Sequence, residues 1–335
     1  MDSHAVGWGL VGLGRIAGSQ IAPAIAASET STLASVVSRD QGRAEDFARV
    51  HGAATALDDY AKMLADPAVA AVYIATPNAL HAEQVVAAAA AGKHVLCDKP
   101  LATTVADARR CLEACHAAGV KLGVNFQKRH HRFVPRVRQM LAGARIGDVV
   151  VAEIEVSPGR FPLRDWRSDP SLAGLGAINN LGVHAYDLLR YLLGSEVTEV
   201  TTFTDAGRDD RLESLALALL RFANGALAYA NANQVVPQPR ADLVLYGSEG
   251  RIVGRDVTHA YVDGGEVRTV AGNEETVEQF PAGDAFIPAM QSFQEAVLEN
   301  REPNASGIDG LRSAQLTAAI ARSAREGRTV AVDLG

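Results

Sequence analysis

The stretch Val6–Ala27, VGWGLVGLGRIAGSQIAPAIAA, reads as a buried strand, a tight glycine turn and a helix. Everything else in the chain is organised around that turn. Gly12, Gly14 and Ala17 match the dinucleotide-binding spacing G-x-G-x-x-G/A. Gly12 permits the sharp turn, Gly14 lets backbone approach a pyrophosphate, and Ala17 lets the helix pack closely on the strand. Arg15 and Ile16 open the helix beside the phosphates, where unpaired N–H groups and the positive end of the dipole favour an anion. Glycine turns are common, but the apolar strand before this one and the helical pattern after it select the nucleotide reading. Pro23 predicts a kink in the third turn of the helix.

With 335 residues the chain is long enough for two domains. Its 32 basic and 39 acidic residues leave a net charge of −7, which argues against nucleic acid or an anionic membrane as the main partner. The longest apolar run, Val85–Ala91, is far short of the roughly twenty residues of a membrane span, and Gly92 ends it like a helix C-terminus. No N-terminal segment has the order of a signal peptide, so a cytoplasmic location is expected. Cys97, Cys111 and Cys115 include no C-x-x-C pair and predict neither a disulfide framework nor a metal site.

From Thr32 onward short apolar strands alternate with helical stretches: LASVV, AAVYIA, HVLC and VKLGVNF, separated by RAEDFARV, LHAEQVVAAAA and VADARRCLEACHAA. That rhythm predicts βαβ units in a doubly wound parallel sheet, a Rossmann domain over residues 1–124. Asp58-Asp59 and Thr103-Thr104 supply N-cap chemistry, and Gly92 and Gly119 fall where helices stop. The pattern then changes. A basic helical segment, QKRHHRFVPRVRQML, leads to the strand VVVAEIEVSP, a Gly-rich break, the helix NNLGVHAYDLLRYLL and several long strands. Asn224-Gly225 between LALALLRF and ALAYANAN is a strong hairpin signal. Residues 125–335 therefore read as an α+β domain with an open, mostly antiparallel sheet, helices on one face and a ligand cleft towards the first domain.

Ligands of a Rossmann half lie at the carboxyl ends of its strands. The second strand ends in Ser38-Arg39, with Arg43 one helical turn on, where an NAD-selective site places an acid for the ribose 2′-OH. Arginine binds a 2′-phosphate that a carboxylate would repel, so NADP(H) is the preferred cofactor and NAD(H) the other candidate. The strand AAVYIA ends in Thr76-Pro77-Asn78-Ala79-Leu80-His81. Thr76 and Asn78 join the cofactor-binding set; His81 is either an ordinary first-turn helix residue or a neighbour of the nicotinamide ribose. The next strand ends in Cys97-Asp98-Lys99-Pro100. Lys99 is either a loop charge or, at the nucleotide crevice, an ammonium able to polarise a substrate hydroxyl or carbonyl. In the second domain Asn180, His184 and Asp187 occupy neighbouring turns of one helix, with Asn180 and His184 four apart as a substrate-facing pair. Asn125 and Trp166 complete the substrate-binding candidates.

Taken together, GLGRIA at 12–17, TPNALH at 76–81, GKHVLCDKP at 92–100 and GAINNLGVHAYDLLRYLLG at 176–194 resemble the glucose–fructose oxidoreductase / inositol dehydrogenase / MocA (Gfo/Idh/MocA) family across nearly the whole chain. WGLVGLGRIA, GKHVLCDKPLA and YGSEGRIVGRDV look most like its NADPH-dependent 1,5-anhydro-D-fructose reductase branch. The resemblance implies hydride transfer to or from a sugar, cyclitol or polyol, with Lys99 as catalytic lysine, His184 as second-domain histidine, and Asp98 orienting Lys99. It also implies that Ser38 and Arg43 recognise NADP, and a homodimer or homotetramer. Two departures stand out. Asp98 replaces the family's Glu, and Asn180 replaces the Asp of D-x-G-x-H, which removes a proton acceptor. The rival readings are an NAD-dependent inositol or sugar dehydrogenase, a non-catalytic NADP(H)-binding redox sensor, and a glycoside-processing enzyme with a tightly held cofactor.

Overall fold

A computed structural model of the chain describes residues 5–206, 211–259 and 263–335. It divides into two compact units, 1–126 with 286–311 and 127–285 with 312–335. The first unit holds six strands: β1 (Val6–Val11), β2 (Ser31–Val37), β3 (Thr55–Leu57), β4 (Ala71–Ile74), β5 (His94–Cys97) and β6 (Leu122–Val124). They are all parallel, in the order β3-β2-β1-β4-β5-β6. Strands covered on both faces read as unbroken apolar runs, and every residue of β1 is buried. Edge strand β3 has only three residues, too few to show alternation in the sequence.

Chain order reverses between β1 and β4, which puts the ligand crevice beyond their carboxyl ends. Asp59, Thr104 and Gly119 cap helices where the sequence predicts caps, and Asp40 caps the helix Gln41–His51. The kink expected at Pro23 takes another form. Ala17–Ile21 is π-helical and Ala22–Ala26 α-helical, with Pro23 in the first turn of the α segment, where a missing N–H costs little.

The segment 286–311, placed with the C-terminal domain by the sequence reading, belongs to the first unit. Its helix Phe286–Leu298 sets Phe286, Met290 and Phe293 into the core beside Trp8, whose ring centroid lies 5.8 Å from that of Phe293. Gln294 Nε2 donates to Thr30 O at 2.6 Å. The apolar period of this helix marks a buried face and says nothing of which sheet receives it.

The second unit holds nine strands: β7 (Val149–Val156), β8 (Val197–Thr204), β9 (Leu215–Phe222), β10 (Leu227–Asn233), β11 (Leu243–Gly247), β12 (Gly250–Arg255), β13 (Asp263–Ala271), β14 (Glu274–Gly283) and β15 (Val330–Ala331). Their order is β14-β13-β12-β11-β7-β10-β9-β8-β15, antiparallel except for β7 with β10. The hairpin at Asn224-Gly225 forms, with Gly225 at φ +91° and Leu220 opposite Ala228. Small inward residues such as Ala152, Ala216, Ala218, Ala228, Ala230 and Ala232 let the helices Phe133–Ala142 and Val183–Leu193 pack closely on one face. The other face carries Phe203 and Leu219, 73% and 57% exposed, with Tyr229 directly opposite Leu219. Among the described residues no helix is long and apolar enough to cross a membrane.

Candidate active site

In the first unit the glycine turn follows β1 directly. Gly12 has φ +88°, and a Cβ there would lie 2.6 Å from the Ala75 and Thr76 backbone, so only glycine fits between the ends of β1 and β4. A Cβ on Gly14 would meet nothing within 4 Å. It would project into the open space beside the turn, which is the cradle a pyrophosphate needs at the start of the helix.

Beyond β2, Ser38 Oγ accepts from Asp40 N at 3.2 Å, and Asp40 in turn accepts from Arg43 N at 3.0 Å. Arg43 Nη2 donates to Leu13 O at 2.6 Å, tying the second strand end to the glycine turn. Arg39 and Arg15 are exposed, and Ile16 is half-buried against the core. No acidic residue occupies 38 or 39.

The ends of β4 and β5 form the rest of this cluster. Thr76 Oγ1 donates to Gln84 Oε1 at 2.6 Å, and Asn78 is buried. Lys99 is half-buried, and its backbone N–H donates to Asp98 Oδ1 at 2.9 Å. The Lys99–Pro100 peptide is cis. His81 lies with Nδ1 2.8 Å from Pro100 O and Nε2 2.9 Å from Thr76 O, and is 1% exposed. Burial lowers its pKa, against the two carbonyls and Asp98, which favour the charged ring. Both ring nitrogens face protein carbonyls, at the ends of β4 and β5. Asn125 is likewise buried, with Nδ2 donating to Tyr73 Oη at 2.7 Å. Burial holds the Tyr73 phenol well above its ordinary value, with Asp98 adding to the shift. Asn125 Oδ1 is buried without a hydrogen-bond partner among the described residues.

In the second unit the helix opens with a π-helical turn, Ile178–Gly182, before the α-helix Val183–Leu193. Such turns recur at functional sites because they shift side chains out of regular register. Glu213 Oε1 accepts from Ile178 N at 2.9 Å and anchors that opening; burial pushes its pKa up while this N–H pulls it down. Asn180 is half-buried, and its Nδ2 donates to Gln234 Oε1 at 2.9 Å. His184, one turn on, is buried. Asp187 faces Arg129 in the interior, with Arg129 Nε donating to Oδ2 at 2.8 Å and Nη2 to Oδ1 at 2.5 Å. Both carboxylate oxygens are thus engaged by one guanidinium in the interior. Trp166 lies half-buried in the turn Asp165–Ser168, with the Arg167 guanidinium 4.3 Å from its ring centroid.

Gln234, Glu213 and Arg129 hold Asn180, Ile178 and Asp187 of this helix, and the sequence does not single them out. Gln234 and Glu213 stand next to strand ends and carry no spacing signal. Arg129 was read only as part of a basic segment, and its burial is the product of tertiary packing.

Comparison with known proteins agrees with this geometry. Residues 6–126 match the GFO/IDH/MocA oxidoreductase family, NAD-binding Rossmann fold, and residues 134–253 match the GFO/IDH/MocA C-terminal domain. The chain is 31% identical to the 1,5-anhydro-D-fructose reductase of Ensifer adhaerens, over 98% of this chain and 99% of that protein. It is also 31% identical to a D-xylose 1-dehydrogenase (NADP(+)) of Haloferax volcanii, over 97% and 99% of the two chains. The crystal structure of an aldose-aldose oxidoreductase from Caulobacter crescentus superposes with a TM-score of 0.89 at 29% identity, covering 98% of this chain and 99% of that one. With a glycine turn built for a dinucleotide, two matching domains and full-length relatives, the chain belongs to the Gfo/Idh/MocA family of NAD(P)-dependent oxidoreductases.

Proposed function

We propose that the protein is an NADP(H)-dependent oxidoreductase that interconverts a carbonyl and a hydroxyl on a sugar or sugar-like substrate, in the manner of a 1,5-anhydro-D-fructose reductase. The observation that carries the cofactor preference is the end of β2, where Ser38, Arg39 and Arg43 stand in place of an acid. Gly12, Gly14, Arg15 and Ile16 would hold the pyrophosphate, with Ser38, Arg39 and Arg43 at the 2′-phosphate and Thr76, Asn78, Asp98 and Lys99 at the strand ends. Bound there, the reduced nicotinamide supplies a hydride.

Negative charge then develops on the substrate oxygen, and the chain's own groups must meet it with a proton. Lys99 is assigned this acid role, with His184 assisting from the second unit and Asn180 holding a hydroxyl. Two full-length relatives that act, by their names, on a keto-sugar derivative and on an aldose support the substrate class.

A screen of NADPH oxidation over 1,5-anhydro-D-fructose and other keto-sugars, run in reverse with NADP+ and NAD+ over D-xylose and myo-inositol, tests the reading. Turnover with NADPH exceeding that with NADH is expected. NADH-selective turnover would reject the cofactor preference, and binding of NADPH without turnover of any sugar would reject the enzyme.

The exposed sheet face that carries Phe203, Leu219, Tyr229 and Tyr246 is assigned to a second copy of the chain, giving a homodimer or homotetramer. Light scattering of the wild type and of Phe203→Glu checks this. A monomeric wild type would refute it.

A further inference from the structure

We infer that His81 is a positioning residue for Lys99, its imidazole pinning the turn that carries the lysine to the end of the neighbouring strand. The inference rests on the role proposed for Lys99 and deepens it. Thr76 lies two residues beyond the end of β4, and Pro100 three beyond the end of β5. The His81 ring spans these two turns, with Nδ1 at 2.8 Å from Pro100 O and Nε2 at 2.9 Å from Thr76 O.

Backbone pairing holds the segment 97–100 from the sheet side. Asp98 N donates to Ile74 O and Asn125 N to Cys97 O, at 2.9 and 2.8 Å, which extend the sheet pairing. Asp98 Oδ1 holds the Lys99 N–H. The carbonyl just after Lys99 is the point that backbone pairing leaves over, and His81 takes it.

A ring 1% exposed is an expensive place for polar nitrogens unless both find partners. Each nitrogen lies within hydrogen-bond distance of a carbonyl, so the neutral ring donates its single N–H to one of them and the protonated ring donates to both, and each carbonyl belongs to a turn at the nucleotide end of the sheet. The lysine stem is flexible, so fixing the backbone on both sides of it narrows the volume the ammonium can occupy. Reacting groups need such support, because a displacement of about 1 Å costs on the order of a hundredfold in rate.

The test uses the full chain with NADPH and 1,5-anhydro-D-fructose, comparing wild type, His81→Leu, His81→Gln and Lys99→Ala. Leucine fills the space without a donor, and glutamine restores one. The expected result is a fall in kcat of about 10–100-fold for His81→Leu, with the NADPH Kd changed by less than about threefold and KM little altered. His81→Gln should recover part of the loss. If His81→Leu keeps wild-type kcat while Lys99→Ala abolishes turnover, the positioning role is wrong and the reading of Lys99 stands. If Lys99→Ala keeps turnover, both fall. Should His81→Leu fail to fold, His81→Gln decides: a lowered kcat at unchanged NADPH Kd supports the inference, and wild-type kcat overturns it.

Discussion

Arg129 grips Asp187 through two parallel charge-assisted hydrogen bonds in the interior of the second unit, the two side chains being 3% and 1% exposed. The pair joins the turn Gln127–His130 to the helix that carries His184, three residues before Asp187. Removing one partner of a buried pair strands the other charge, at a typical cost of about 3–5 kcal/mol. Arg190 Nη1, 3.8 Å from Asp187 Oδ1, should hold Arg129→Met to the lower end of that range. Urea unfolding is the measurement. Replacing both residues, as Arg129→Met with Asp187→Leu, should regain much of the loss, and a double variant no better than the single one would show that the pair contributes net stability.

Gly12 and Gly14 separate two effects that the spacing G-x-G merges. Gly12→Ala forces a Cβ against the Ala75 and Thr76 backbone at φ +88°, so the variant should lose stability before any cofactor is added. Gly14→Ala meets open space. It should melt within a few degrees of the wild type yet bind NADPH at least about tenfold more weakly, because the methyl occupies the phosphate cradle. Fluorescence titration and thermal melts of both variants check this. An unaltered NADPH affinity in Gly14→Ala would place the pyrophosphate elsewhere.

How much of this could be read beforehand depends on whether the signal is local. The glycine turn, the strands β1, β2, β4 and β5, the N-cap at Thr104 and the hairpin at Gly225 are set by neighbours in the sequence, and they stand where the spacing puts them. The destination of the helix Phe286–Leu298 depends on which sheet offers a matching groove, which its own period cannot state. The same holds for His81, Asn125 and Asp187. Residue type and position near a strand end or helix face suggest ligand contact, and only tertiary packing shows which protein groups these side chains meet.

Arg39 and Arg43 should differ in their effect on cofactor choice. Arg39 is exposed beyond β2, so Arg39→Ala is expected to weaken NADPH by roughly 10–100-fold, the worth of one charged hydrogen bond, and to spare NADH. Arg43 also donates to Leu13 O in the glycine turn, so Arg43→Ala should loosen the turn and weaken both cofactors, NADPH more. Dissociation constants of the two variants for both nucleotides decide the matter. Equal losses for NADPH and NADH in Arg39→Ala would refute the assignment.

Burial of the segment 127–131 predicts a pH dependence of stability. His131 packs with Nδ1 3.0 Å from Val257 O, and burial, with Lys128 adding to it, lowers its pKa to about 3; burial and then Arg129 bring His130 to about 4. Unfolded, both titrate near about 6.5. Between that value and the folded pKa the unfolded chain binds protons that the folded chain refuses. Stability is therefore fully present above about pH 6.5 and falls as pH drops towards 5, by up to about 1.4 kcal/mol per unit for each histidine. His81 and His94, also lowered by burial, act with the same sign. Urea midpoints at pH 7.5, 6 and 5 should show the decline, and His131→Gln should flatten it. A midpoint that stays level over that range would mean these rings are protonated in the folded protein.

Asn180 presents the sharpest question about the chemistry, because an amide stands one helical turn before His184. Its Nδ2 donates to Gln234 Oε1, and Gln234 Nε2 has no hydrogen-bond partner among the described residues. An amide can hold a hydroxyl through either end but cannot take up a proton between pH 4 and 10. The wild-type profile of kcat/KM should accordingly contain no ionisation from this position, and Asn180→Ala should raise KM while leaving kcat within a few-fold, the mark of lost ground-state binding. Asn180→Asp can fold, since the Gln234 amide turned over offers Nε2 to the new carboxylate. Its pH profile should gain an acidic limb near the ordinary aspartate range of about 4. Parallel pH–rate profiles of the wild type and both variants are the measurement. If Asn180→Ala depressed kcat as strongly as Lys99→Ala, Asn180 would belong to the proton-transfer step, and its assignment to holding a substrate hydroxyl would be wrong.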